Sequence, residues 1–123
     1  MLAYLGNERG AAEVEGILDA AQRNRAEVWM SIINVGEVLY ITERKASLVG
    51  PQRALGIIAQ LPIEVVDAGA TLTFAAAHVK AHHSIAYSDA FVVALAQMVD
   101  AQVVTGDPEF DKVGSLVAIR WIG

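Results

Sequence analysis

Along the chain the spacing of apolar residues changes repeatedly, and each change marks an element. Ala11, Val14, Ile17, Leu18 and Ala21 recur at helical spacing, with Glu13, Glu15, Asp19 and Arg23 on the other faces, which predicts an amphipathic helix over 11–24. EVWMSIIN (27–34) is instead apolar at consecutive positions and rich in β-formers, the pattern of a strand covered on both faces in a parallel sheet. Asn34 then stands where a helix cap would, ahead of VGEVLYITERKAS. In GPQRALGIIAQL, Pro51 occupies the favoured first helical position, and Pro62 ends that helix. IEVVDA predicts a strand; ATLTFAAAHVKAHH and SDAFVVALAQMVDA predict helices joined at Ser84-Ile85-Ala86-Tyr87; AQVVTG and SLVAIRWIG predict two further strands. Ahead of all these, Met1-Leu2-Ala3-Tyr4-Leu5 reads as the middle of a helix with no cap before it, closed by the Gly6-Asn7-Glu8-Arg9-Gly10 break.

Alternation of this kind predicts an α/β fold, a three-layer α/β/α arrangement with a parallel-rich sheet between helices, formed by one domain spanning 1–123. Such sheets carry their sites at the carboxyl ends of the strands. Composition narrows the class. Hydrophobic residues at 54% and charged residues at 19% exclude a disordered chain, and no uninterrupted apolar run of membrane-spanning length occurs. The absence of cysteine removes disulfides and thiolate metal sites, and fits a reducing compartment. Without a secretion signal, the expected location is cytoplasmic. A net charge of −5 disfavours general attraction to a phosphate backbone, so a nucleic-acid substrate requires cations to mediate part of the contact.

Three carboxylates stand where chemistry is expected. Glu37 follows the strand EVWMSIIN, Asp107 follows AQVVTG, and Asp89 opens a helix. Each has a structural role available. Asn34-Val35-Gly36-Glu37 has capping-box spacing, Asp89 suits the positive end of a helix dipole, and Asp107-Pro108 is a cap followed by a first-turn proline. Together they point elsewhere. The helix after Ser88, AFVVALAQMV, is apolar nearly all round, so it runs through the core, and Asp89 is its one charge before Asp100. A carboxylate at the mouth of a buried helix, meeting two others at strand ends, suffers repulsion unless something positive sits among them. No lysine or arginine flanks them closely in sequence. An oxygen-only set points to a hard cation, Mg²⁺ or Mn²⁺, and so to metal-assisted phosphodiester hydrolysis.

At these residues the sequence resembles PIN-domain nucleases, most closely the VapC-type ribonuclease toxins of toxin–antitoxin pairs. The matching pieces are LAYLGNERGAAEVEGIL, MSIINVGEVLYI with Glu37, LPIEVVDA, IAYSDAFVVALAQ with Asp89, and AQVVTGDPEFDKV with Asp107. They span nearly the whole chain in the family's order. The resemblance implies an acidic pocket binding Mg²⁺ or Mn²⁺, cleavage of single-stranded RNA, homodimerisation, and inhibition by a cognate antitoxin that covers the pocket. It carries the family's second, third and fourth acidic positions onto Glu37, Asp89 and Asp107, with Asp111 as an accessory metal ligand. Ser88 and Thr105 flank the acids as cap and turn hydroxyls, placed to orient them or a water. Family members begin with an apolar strand ending in an aspartate, and this chain has neither ahead of Leu2. The resemblance therefore implies three carboxylates where the family uses four. It also implies a rearranged sheet, in which the strands at 27–33 and 102–106 close on each other or an element exchanged from a second chain fills the gap.

His78 and His82 stand one helical turn apart, but no third ligand has a convincing spacing, and a solvated helix end is the expected role of these residues and His83. Arg44 and Lys45 complement the end of a helix dipole, with contact to an RNA backbone ranked second. Tyr40, Trp29 and Trp121 are expected in core or dimer contacts rather than as base-stacking platforms, since no basic run accompanies them. The apolar faces at 11–21 and 35–41 exceed what one small core covers, which suits a homodimer or an antitoxin helix in a groove. Two function classes follow: a metal-dependent endoribonuclease, and a catalytically silent PIN-like module for dimerisation or antitoxin binding. No Gly-rich phosphate loop supports any other phosphoryl-transfer chemistry.

Overall fold

Helices and short strands alternate through the computed structural model, which describes residues 10–47 and 49–123. In order they are α1 (Ala11–Gln22), β1 (Val28–Ser31), α2 (Ile32–Ala46), α3 (Val49–Gln60), β2 (Ile63–Val66), α4 (Ala70–His82), α5 (Tyr87–Val99), β3 (Val103–Thr105), a 3-10 helix (Pro108–Val113) and β4 (Ile119–Trp121). The helix read at Met1–Leu5 lies outside the described residues.

The first strand is shorter than its apolar run. Ser31 is extended at φ −75° and ψ 152°, and its hydroxyl accepts from the Asn34 backbone N–H at 3.2 Å. Ser31, not Asn34, is therefore the helix cap, and Ile32 and Ile33 belong to the first turn of α2. A short apolar run does not by itself separate strand from helix; a hydroxyl able to satisfy an orphan amide decides the boundary.

Both strand pairs are parallel. Val28 to Ser31 match Ile63 to Val66, and Val103 to Thr105 match Ile119 to Trp121. Among the described residues these are two separate two-stranded sheets, so β1 and β3 do not close on each other as expected. The α5 helix touches both β1 and β3, and Trp29 and Val103 pack in the same core, so the two strands share a helix without sharing hydrogen bonds.

Side chains on alternate positions of β1 enter different cores. Met30 joins Val35, Val38, Ala54 and Ile58 beneath α2 and α3, whereas Trp29 packs on the larger core built from α4, α5, β3 and the 3-10 helix. Helices thus cover both faces, the layered arrangement expected of the α/β class. The α5 helix is as buried as its sequence predicts, with Ala90, Phe91, Val93, Ala94, Leu95 and Ala96 all inside. Trp29 meets its core expectation, but Tyr40 and Trp121 remain 48% and 45% exposed. Two glycines set close approaches. A Cβ at Gly50 would lie 2.5 Å from the Thr42 carbonyl oxygen where α3 crosses α2, and one at Gly106 would lie 2.8 Å from the Ile122 carbonyl oxygen.

Candidate functional site

Because α2 starts at Ile32, Glu37 sits in its second turn and is not the far member of a capping box. Its half-buried carboxylate instead accepts from the Ser88 hydroxyl at 2.7 Å. The Asn34 side-chain amide donates to the Ser88 carbonyl at 2.9 Å, and the Ser31 hydroxyl donates to the Asn34 side-chain oxygen at 2.5 Å. This chain of bonds fastens the beginning of α5 to the beginning of α2. Ser31 and Asn34 are buried, and no buried side-chain polar atom among the described residues lacks a partner. Ser88, read from sequence as a flanking hydroxyl, is the residue that positions Glu37.

Asp89 lies in the first turn of α5, where the helix dipole favours its charged form. The dipole does not prevail. Burial, followed by the charges of Glu37, Asp107 and Glu109, raises its pKa from 3.8 to about 6. Glu37 and Asp107, from beyond the carboxyl ends of β1 and β3, therefore both act on Asp89. The link that delivers Asp89 is held by two ammonium groups: Lys80 donates to the Ile85 carbonyl at 2.6 Å, and Lys112 to the Ser84 carbonyl at 3.1 Å.

Asp107 leaves the end of β3 and fills the capping role expected of it. One carboxylate oxygen accepts from the Glu109 backbone N–H at 2.9 Å, with Pro108 first in the 3-10 helix. Its own N–H donates to the Thr105 hydroxyl at 3.0 Å. Glu109 is the member that sequence reading missed; it pairs with Lys112 at 2.6 Å and still adds to the repulsion at Asp89. The signal was its place two residues beyond a strand-end aspartate. Asp111 is exposed on the same 3-10 helix, and its charge is not among those that raise Asp89.

Donor chemistry fits a hard divalent cation, since all-oxygen donors suit one and the repulsion that Glu37, Asp107 and Glu109 exert on Asp89 is relieved by positive charge. Among the described residues, no group of three or more His, Asp or Glu side chains lies close enough to grip one ion. His78, His82 and His83 stand apart at the end of α4. The first two rings lie 4.5 Å apart, and the δ nitrogens of His82 and His83 meet the helix carbonyls of His78 and Val79 at 2.9 Å and 3.1 Å.

This fold is that of a PIN domain. The PIN-domain family model matches residues 1–116, and the chain belongs to that family. Its structure is similar to a chain of the VapBC2 complex from Rickettsia felis, solved bound to a DNA fragment from their promoter. That match has a TM-score of 0.77 at 16% identity and covers 99% of this chain and 92% of that one. A chain of the DNA-bound VapBC complex from Salmonella typhimurium matches with a TM-score of 0.58 at 20% identity, covering 75% of this chain and 73% of that one. A comparison with curated protein sequences finds no match.

Proposed function

We propose that this PIN-domain protein is a metal-dependent endoribonuclease, a VapC-like toxin that hydrolyses RNA phosphodiester bonds at its acidic site. The observation that carries the reading is the half-buried Asp89 carboxyl repelled by Glu37, Asp107 and Glu109 near the carboxyl ends of two parallel strand pairs. Mg²⁺ or Mn²⁺ is the cation such carboxylates select, with Asp111 as the accessory ligand. When bound, the cation polarises a phosphate oxygen and lowers the pKa of a water. Ser88 holds Glu37, the Glu109 amide holds one oxygen of Asp107, and Lys112 restrains Glu109 beside them.

A cognate antitoxin covering the pocket is the proposed partner, supported by the likeness to chains of two VapBC complexes. A homodimer is proposed as well. Among the described residues β1 pairs only with β2 and β3 only with β4, and the edge left on each suits a strand exchanged from a second chain. No helix among the described residues is long and apolar enough to cross a membrane, and the proposed site of action is the cytoplasm.

One observation favours a second reading. The lack of a three-ligand group among the described residues fits a silent PIN-like module that binds an antitoxin or a second copy without cutting RNA. Cleavage of single-stranded RNA in Mn²⁺, by the parent chain and by Asp89→Asn and Asp107→Asn, separates the two. Cutting by the parent that both variants and EDTA abolish supports the nuclease. An inactive parent supports the module.

A further inference from the structure

We infer that Tyr40 and Arg44 form a landing surface for single-stranded RNA that leads along α2 into the acidic site. The proposal rests on the nuclease reading for the identity of the strand, and names what holds it. Ile33, Glu37, Tyr40 and Arg44 follow one another at intervals of four, three and four residues, so they share one face of the helix. The opposite face carries Val35 and Val38, which are 3% and 2% exposed in the core beneath α2. Two of the four positions on the outer face, Ile33 and Tyr40, are large apolar-bodied side chains left open to water. Ile33 is 37% exposed, Tyr40 is 48% exposed, and Arg44 is exposed.

The Arg44 guanidinium lies over the Tyr40 ring at 5.0 Å from its centroid, a cation–π pair that stiffens both side chains in water. Glu37, one turn earlier, carries the acidic site and is held by Ser88. Gly36 borders the same face, and nothing lies within 4 Å of where its Cβ would be, so the approach to Tyr40 from the site is bare. Lys45 adds a second positive charge in the last turn. The order along the helix is thus carboxylate, aromatic ring, cation. Successive nucleotides need the same things: a cleavage point, a stacking surface for a base and a charge for the next phosphate. In a chain with net charge −5, Arg44 and Lys45, with Glu43 offsetting one of their charges, leave a net positive charge at this end of α2 that the composition as a whole withholds. A duplex cannot use it, because its bases are already stacked.

The test is equilibrium binding, measured by fluorescence anisotropy with a labelled single-stranded RNA of twelve nucleotides and mixed sequence. Asp89→Asn serves as a non-cutting background, and RNA integrity is checked after each titration. Tyr40→Ala is expected to weaken binding about tenfold, and Tyr40→Phe to restore it, because the ring and not the hydroxyl carries stacking. Arg44→Ala is expected to weaken binding and to lower the slope of log affinity against log salt by about 0.7, whereas Tyr40→Ala leaves that slope in place. A duplex of the same length is expected to bind equally to parent and Tyr40→Ala. Circular dichroism confirms that the variants fold. Single-strand affinities within twofold of the parent for both alanine variants overturn the proposal and leave the face to a protein partner; so does a parent that binds no RNA. Failure of the nuclease reading is seen separately: a parent that binds RNA through Tyr40 but never cuts it keeps the landing surface and loses the enzyme, while cutting with unchanged KM in both variants does the reverse.

Discussion

Asp89 is the residue on which the electrostatics converge, and its environment has a measurable consequence for stability. The folded chain holds the Asp89 proton at about 6, against 3.8 for an unperturbed carboxyl. Between those values the folded state binds more protons than the unfolded state, so this group makes stability fall as pH rises from about 4 to 6. Urea melts across that range are expected to show the decline in the parent and a flatter profile in Asp89→Asn. Ser88 invites a second test, since its hydroxyl is the protein donor to the half-buried Glu37 carboxylate. Removing it in Ser88→Ala is expected to cost about 1.5–3 kcal/mol, the usual range for a hydrogen bond to a charged group, read from the shift in denaturation midpoint. Asp89 opens a helix and Asp107 follows a strand as the sequence predicts, whereas Glu37 stands in the second turn of α2 rather than directly after β1. Sequence could not show that Glu37 is held by Ser88, a contact between residues fifty-one positions apart.

Among the elements, the boundaries of α2 and the approach of β4 depend on single residues. Gly36 and Gly106 make a matched pair of substitutions. Gly36 lies within α2 with open space where a Cβ would stand, so Gly36→Ala is expected to stabilise the chain by about 0.5–1 kcal/mol through helix propensity alone. At Gly106 the same change puts a Cβ 2.8 Å from the Ile122 carbonyl oxygen, a backbone atom that cannot swing away. Gly106→Ala is expected to lower the melting temperature and loosen the β3–β4 pair, visible as faster amide exchange at Ile122, whose N–H donates to the Thr105 carbonyl. Helix and strand types were legible from periodicity for the α-helices and the four strands, though not for the 3-10 helix at Pro108–Val113. Boundaries were not, because a terminus is decided by whichever hydroxyl or carboxylate reaches an orphan amide, as Ser31 does for Asn34 and Asp107 does for Glu109.

For the whole molecule the decisive property is whether the converging carboxylates take up a cation. If they do, Mn²⁺ stabilises the folded chain by mass action, and its melting temperature rises with metal concentration. The proton on Asp89 competes with the ion, so the rise is expected to be larger at pH 7.5 than at pH 5 and to shrink in Asp89→Asn and Asp107→Asn. A melting temperature indifferent to Mn²⁺ at both pH values would count against the nuclease reading and for the silent module. By itself the sequence determined the α/β alternation and the buried course of α5, because each is written in local spacing and residue type. Only the tertiary structure decided that the parallel strands among the described residues form two separate pairs that both touch α5, that Glu109 joins the charges on Asp89, and that Tyr40 faces solvent beneath Arg44. These depend on which elements share a neighbour and how much solvent remains between them, and one-dimensional spacing does not record either.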